Sequence, residues 1–297
     1  MAATAVAAPR PVARAALVAL RPRQWTKNLL LFAGLLFANK LGDPTRWVEA
    51  CVAFAAYCAA SSASYLANDV RDAAHDREHP VKRLRPVASG ELPVRMALGL
   101  AAVLAVLAFG LTSVLGWWSV VFMIAFLGLQ VAYTAGLKHV VLIDVLVIAA
   151  LFVIRASAGA EAVEVRISPW LLICTGLLAL FLALAKRRAE LVLVGAEETP
   201  GRPVLEGYSL ALVDQLLSVV AASTVIAYSL YTFGARDSKA MMATVPFVVY
   251  GVFRYLLLLH RHDLGEEPEN VLLTDVPLIV TLAAWAATSA VILALTT

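Results

Sequence analysis

Asn68-Asp69-Val70-Arg71-Asp72-Ala73-Ala74-His75-Asp76 spaces three carboxylates at intervals of three and four residues. On a helix, Asp69, Asp72 and Asp76 fall within an arc of about 60°. Three anions on one face repel one another, and a divalent cation relieves that repulsion. Hard oxygen ligands, with water or phosphate completing the shell, suit Mg2+ better than zinc. The bland alternative is a solvated acidic helix end balanced by Arg71 and Arg77. Directly afterwards comes His79-Pro80-Val81-Lys82-Arg83-Leu84-Arg85-Pro86. Its prolines end the helix and stiffen a loop that carries Lys82, Arg83 and Arg85. Metal-holding carboxylates beside a cationic loop make the charge pattern of a polyphosphate site. Charge asymmetry across a membrane would also put basic residues there.

Three further groups have the same character. Lys138 follows Tyr133 closely. Lys186-Arg187-Arg188-Ala189-Glu190 is a dense basic group with one carboxylate, which suits an anion. Arg254 with Tyr255 precedes His260. A lone Lys138 is equally well read as a residue snorkelling to the membrane surface. Asp144 and Arg155 lie inside one apolar run, eleven residues apart. That spacing puts them on one helical face but about 16 Å apart along the axis, too far for an ion pair. Ionisable groups inside a span mark functional candidates. Asp144 suits a metal or ribose site, and Arg155 suits either a cavity or a lock onto another helix.

The elements that must position these residues follow from composition. The chain has 297 residues, 61% hydrophobic and 15% charged, with mean hydropathy +0.82. Soluble domains run at about 45–50% apolar and about 25% charged. A soluble enzyme, a disordered tail and a DNA-binding domain are excluded, and a net charge of +3 gives no field to hold nucleic acid. Cys51, Cys58 and Cys174 form neither a disulfide framework nor a zinc site.

Apolar runs fall at 28–39, 48–67, 97–115, 120–137, 140–160, 169–185, 210–233, 241–259 and 276–295. They predict an all-α polytopic membrane protein of about nine transmembrane helices, forming a single domain over 1–297. With the N-terminus inside, 18 of the 24 basic residues lie on the inner side and five on the outer side. That bias predicts a plasma-membrane protein with a cytoplasmic arm over 1–22 and cytoplasmic loops at 69–95, 187–209 and 260–275. An odd number of spans puts the C-terminus outside. Chemistry at these loops draws on a water-soluble substrate from the cytoplasm.

The Asn68-Asp69-x-x-Asp72-x-x-x-Asp76 motif, at the end of a second span among nine, resembles the UbiA superfamily of intramembrane prenyltransferases. Further segments narrow the likeness. They are Arg21-Pro22-x-Gln24-Trp25-x-Lys27-Asn28, His79-Pro80-x-Lys82-Arg83-x-Arg85-Pro86, Leu137-Lys138 with Asp144, Lys186-Arg187-Arg188-x-Glu190 and Phe253-Arg254-Tyr255. Together they are similar to the branch that transfers 5-phosphoribose from phosphoribosyl pyrophosphate (PRPP) to decaprenyl phosphate, making a precursor of the arabinose donor for cell-wall arabinan. The resemblance implies Mg2+ held by Asp69, Asp72 and Asp76, with Asn68 positioning an aspartate or a ribose hydroxyl. It implies substrate binding by Lys27, Lys82, Arg83, Arg85, Tyr133, Lys138, Asp144, Lys186, Arg187, Arg188, Glu190 and Arg254. It implies a polyprenyl phosphate in a groove open to lipid and leaves room for a homo-oligomer.

One departure from the wider superfamily sets the branch. Aromatic prenyltransferases carry a second aspartate-rich motif where this chain has Lys186-Arg187-Arg188-x-Glu190. An aromatic prenyltransferase of quinone or haem synthesis remains the same-class alternative. A secondary transporter using Asp144 and Arg155 is the alternative from another class, although the polar residues crowd the span ends rather than the midplane.

Overall fold

The computed structural model describes residues 10–37, 40, 42–79, 81–166, 168–197, 203–234, 239–261 and 274–296. Pro80, Arg202, Arg236 and most of the expected loop 260–275 lie outside the described residues, as do residues 38 and 39 of the first apolar run. The described chain is all-α. Helix α1 (Val12–Ala19) leads into a 3₁₀ stretch, Pro22–Phe32, and a short α2 (Ala33–Phe37). The long helices are α3 (Pro44–Glu78), α4 (Val94–Val114), α5 (Trp117–Ala135), α6 (Ile143–Ala162) and α7 (Pro169–Glu197). They are followed by α8 (Leu210–Gly234), α9 (Val245–Arg261) and α10 (Val276–Thr296).

Eight helical segments among the described residues are long and apolar enough to cross a membrane. The first apolar run differs from the other eight in being 3₁₀ helix followed by one turn of α2. Its geometry has a local cause. Pro22 opens the stretch, and Arg21 before it takes a left-handed conformation at φ 53°. The stretch lies directly on α6. A Cβ at Gly159 would sit 2.2 Å from the Leu31 carbonyl oxygen, so the missing side chain is what admits the backbone. Helices α3 and α4 pack together, and α5, α6, α7 and α8 each pack on the next in the chain.

Helix α3 carries the aspartates beyond the apolar layer. Asp43 caps its N-terminus by accepting from Thr45 N–H and Arg46 N–H, with Pro44 in the first turn. Its 35 residues extend about 50 Å, against a hydrocarbon core of roughly 30 Å. The helix ends at Glu78, and His79 is extended, as a residue before proline prefers. The basic loop that follows is anchored rather than loose. Val87 and Leu92, both 1% exposed, are buried with Ala15 and Ala19 of α1 and Leu66 and Ala73 of α3. The predicted cytoplasmic arm is therefore partly a packed helix.

Candidate active site

The carboxylates occupy the last three turns of α3, and each meets a cation from another segment. Arg21 Nη2 donates to Asp69 Oδ1 at 2.5 Å, and the same guanidinium lies over the Tyr65 ring at 4.9 Å. Arg85 Nη1 is 2.7 Å from Asp76 Oδ2 and 3.5 Å from Asp69 Oδ1. Lys138 Nζ is 3.3 Å from Asp72 Oδ2. The sequence pattern reads as three uncompensated anions; the fold compensates all three. Asp69 and Asp76 are each only 2% exposed, and an anion at that burial requires a partner.

Arg85 Nη1 lies between Asp69 and Asp76 and pairs with both. Among the described residues no group of three or more His, Cys, Asp or Glu side chains is placed to hold a metal, and Asp72 faces Lys138 instead. The donor set still fits Mg2+: Asp69, Asp72 and Asp76 supply hard carboxylate oxygens from one helix, and phosphate oxygens can complete the shell.

The basic loop is shaped by contacts that the sequence does not advertise. His79 Nδ1 accepts from the N–H groups of Val81 and Lys82, capping the 3₁₀ turn Lys82–Leu84. Arg10 reaches across to the Leu84 carbonyl and pairs with Glu91 at 2.9 Å. Arg83 is exposed, whereas Lys82 and Arg85 are half-buried. On the other side, Arg71 donates to the carbonyls of Thr134 and Ala135 at the end of α5. That contact satisfies carbonyls the helix leaves free and brings Lys138 to α3.

A second network ties α6 to α7. Asp144 is fully buried in the first turn of α6. Its Oδ2 accepts from Arg187 Nε at 2.7 Å and its Oδ1 from the Tyr208 hydroxyl at 2.7 Å. Arg187, 1% exposed, also donates to Glu190. The Tyr208 hydroxyl in turn accepts from Leu142 N–H at 2.8 Å, where Leu142 has φ 67°. Burial, together with the hydrogen bond to Asp144, holds the Tyr208 phenol well above its ordinary value, so it remains a donor. Tyr133 lies near Arg187, which brings this network beside the end of α5.

The remaining candidates spread around the same end of the bundle. Arg188 Nε donates to Asp214 at 2.7 Å and its Nη1 to the Leu259 carbonyl, joining α7, α8 and α9. Arg254 forms a two-pronged pair with Asp275. The Arg254 guanidinium holds the Asp275 carboxyl below its ordinary value. Lys27, Asn68, Tyr133 and Lys186 are half-buried. Arg155 is not paired with Asp144. It reaches Asn28 Oδ1 at 2.9 Å.

Arg21 and His79 lie within sequence motifs that do not mark their contacts, and Tyr208 and Asp214 lie outside every motif. The signal for Arg21 was its place before Pro22. Left-handed backbone there costs roughly 1–2 kcal/mol, a strain the ion pair to Asp69 helps to hold. Tyr208 and Asp214 gave no sequence signal, because their partners are 64 and 26 residues away.

The UbiA prenyltransferase family model matches residues 29–274. A decaprenyl-phosphate phosphoribosyltransferase of Mycobacterium tuberculosis is 36% identical over 91% of each chain. One from Mycolicibacterium smegmatis is 34% identical over 94% of this chain and 92% of its own. A UbiA homolog from Archaeoglobus fulgidus, solved bound to GPP and Mg2+, superposes with a TM-score of 0.72 at 18% identity. That superposition covers 94% of this chain and 99% of the other.

Proposed function

The chain belongs to the UbiA prenyltransferase family and is a membrane transferase, and from that premise we propose that it moves 5-phosphoribose from PRPP to a polyprenyl phosphate. The observation that carries this reading is the number of cations gathered here: Arg21, Arg85 and Lys138 already pair with the three α3 aspartates, Lys82 and Arg83 stand on the adjoining loop, and Lys186-Arg187-Arg188 lies within α7. A donor with a pyrophosphate and a further phosphate needs more positive charge than a single prenyl pyrophosphate does.

In the proposed reaction an oxygen of the lipid phosphate attacks the anomeric carbon of ribose. The carbon–oxygen bond to pyrophosphate breaks, and pyrophosphate leaves with the electron pair. The nucleophile is already anionic, so no general base is required. Mg2+ held by Asp69, Asp72 and Asp76 would neutralise charge growing on the leaving group. Arg85, Lys82 and Arg83 would bind phosphate oxygens of the donor. Lys138, Lys27 and Lys186 supply further cationic contacts, and Asn68 orients an aspartate or a ribose hydroxyl. Asp144, Arg187, Glu190 and Tyr208 hold the ends of α6 and α7 in place, with Tyr133 beside them. Arg188 and Arg254 fix α8, α9 and α10 around the site. The active site faces the cytoplasm, as the distribution of basic residues indicates, and the product feeds synthesis of an arabinose donor for cell-wall arabinan.

Purified protein given PRPP, polyprenyl phosphate and Mg2+ should release pyrophosphate, and omission of any one should stop it. Transfer of a prenyl group from GPP to 4-hydroxybenzoate, with no use of PRPP, would establish the aromatic reading instead.

A further inference from the structure

Arg155 is buried in the bundle among neutral groups. It is 4% exposed. Its Nε donates to Asn28 Oδ1 and its Nη1 to the Leu151 carbonyl at 3.4 Å. The rings of Phe126 and Phe152 lie 4.7 and 5.2 Å from the guanidinium carbon. Among the described residues, the ionisable groups that interact with it are Tyr57, Tyr65 and Cys58. None is a carboxylate. A guanidinium stays charged and carries five N–H donors, so a site inside a membrane that supplies no counter-charge is costly.

Two buried hydroxyls of α3 are left unused by the described residues, and one of them, on Tyr57, neighbours Arg155. The Tyr57 hydroxyl and Ser61 Oγ are buried with no hydrogen-bond partner among the described residues. Tyr57 and Ser61 are 1% and 2% exposed and lie one turn apart on α3. The Tyr57 ring packs on Phe126 at 5.0 Å, the ring that also lies under Arg155. Asn28 is fixed in orientation, since its Nδ2 donates to Cys58 Sγ while its Oδ1 serves Arg155. One turn beyond Ser61 is Tyr65, under Arg21, which holds Asp69. Tyr57, Ser61, Tyr65 and Asp69 thus follow one another at intervals of four residues along α3.

We propose that Arg155, Tyr57, Ser61 and Asn28 form a second, metal-free subsite that binds a phosphate group. The inference rests on the phosphoribosyl reading for the identity of the ligand. Eight residues of α3 separate Ser61 from Asp69, roughly 12 Å along the axis, a span on the scale of a sugar with a phosphate at each end. The group bound is either the 5-phosphate of PRPP or the phosphate of the acceptor lipid.

Two mild variants test this. Tyr57→Phe and Ser61→Ala remove hydroxyls that have no partner among the described residues, so a purely structural region leaves both neutral in melting temperature and in binding. The subsite requires each to weaken one phosphate ligand about fivefold at unchanged melting temperature. Arg155→Gln should weaken it by roughly ten- to a hundredfold, with Arg155→Lys recovering part. Titrating PRPP without lipid, and polyprenyl phosphate without PRPP, shows which substrate owns the subsite. Inorganic phosphate, followed by phosphorus NMR in detergent, probes the subsite independently of the reaction. If Tyr57→Phe and Ser61→Ala bind all three ligands as the wild type does, the subsite is overturned. If the wild type ignores PRPP while these variants still lose inorganic phosphate, only the phosphoribosyl reading falls.

Discussion

Arg187 Nε lies 2.7 Å from Asp144 Oδ2, with both side chains essentially excluded from solvent. This α7 cation therefore serves first as the partner of two carboxylates, Asp144 and Glu190. Removing one side of a buried ion pair strands the other, which costs about 3–5 kcal/mol, whereas neutralising all members costs far less. Arg187→Met should lower the melting temperature in detergent sharply. Arg187→Met combined with Asp144→Asn and Glu190→Gln should recover most of that loss. A single variant as stable as the triple one would show that the pair carries no structural weight.

Asp76 and Asp69 share the Arg85 guanidinium, so Asp76→Asn keeps the shape and removes one charge. Stability should change little, because Arg85 retains Asp69. Pyrophosphate release should fall by roughly two powers of ten or more, the scale of losing one electrostatic stabiliser. Chelation should silence the wild type and added Mg2+ restore it, while the variant responds weakly to excess Mg2+. Near-normal turnover in the variant would remove Asp76 from the metal site.

The helices and the acidic face were legible because both depend on periodicity and composition. Asp69, Asp72 and Asp76 share a face whatever packs against them. The pairings were not legible, since Arg21 meets Asp69, and Tyr208 meets Asp144, only through tertiary folding. The first apolar run was the hardest to read. Hydropathy marks it as membrane-embedded, but its 3₁₀ form depends on the strained Arg21-Pro22 entry and the gap at Gly159. Arg155 was open between lock and cavity, and its neutral partner Asn28 lies 127 residues away.

Asp275 joins α9 to α10 by pairing with Arg254 and by accepting from Leu278 N–H at 2.9 Å, a helix cap. Its carboxyl is held below the ordinary 3.8, chiefly by the Arg254 hydrogen bond. A depressed carboxylate contributes stability that is present above its unfolded value and lost as pH falls through the folded one. The pair is partly solvated, so the effect is small. Melting temperature should decline below about pH 4, and Arg254→Gln should flatten that acid limb by lowering the neutral plateau by the same small amount, the two proteins converging in acid. An identical acid limb in the two proteins would remove this pair from the acid response.

Gly159 links the fold to the deeper part of the site. A Cβ there would meet Leu31 at its carbonyl oxygen, Cα and carbonyl carbon, all within 2.7 Å. These are backbone atoms, so no rotamer change relieves the clash, and the 3₁₀ stretch must lift off α6. Overpacking of this kind costs about 1–3 kcal/mol. Leu31 lies one turn from Asn28, whose bond to Arg155 crosses the same contact. Gly159→Ala should therefore lower the melting temperature and impair turnover together, although residue 159 carries no functional group. Gly110→Ala, where a Cβ meets nothing within 4 Å, provides the control and should match the wild type or exceed it slightly. Equal behaviour of the two variants would mean that the close approach of Leu31 to α6 is not what seats Asn28.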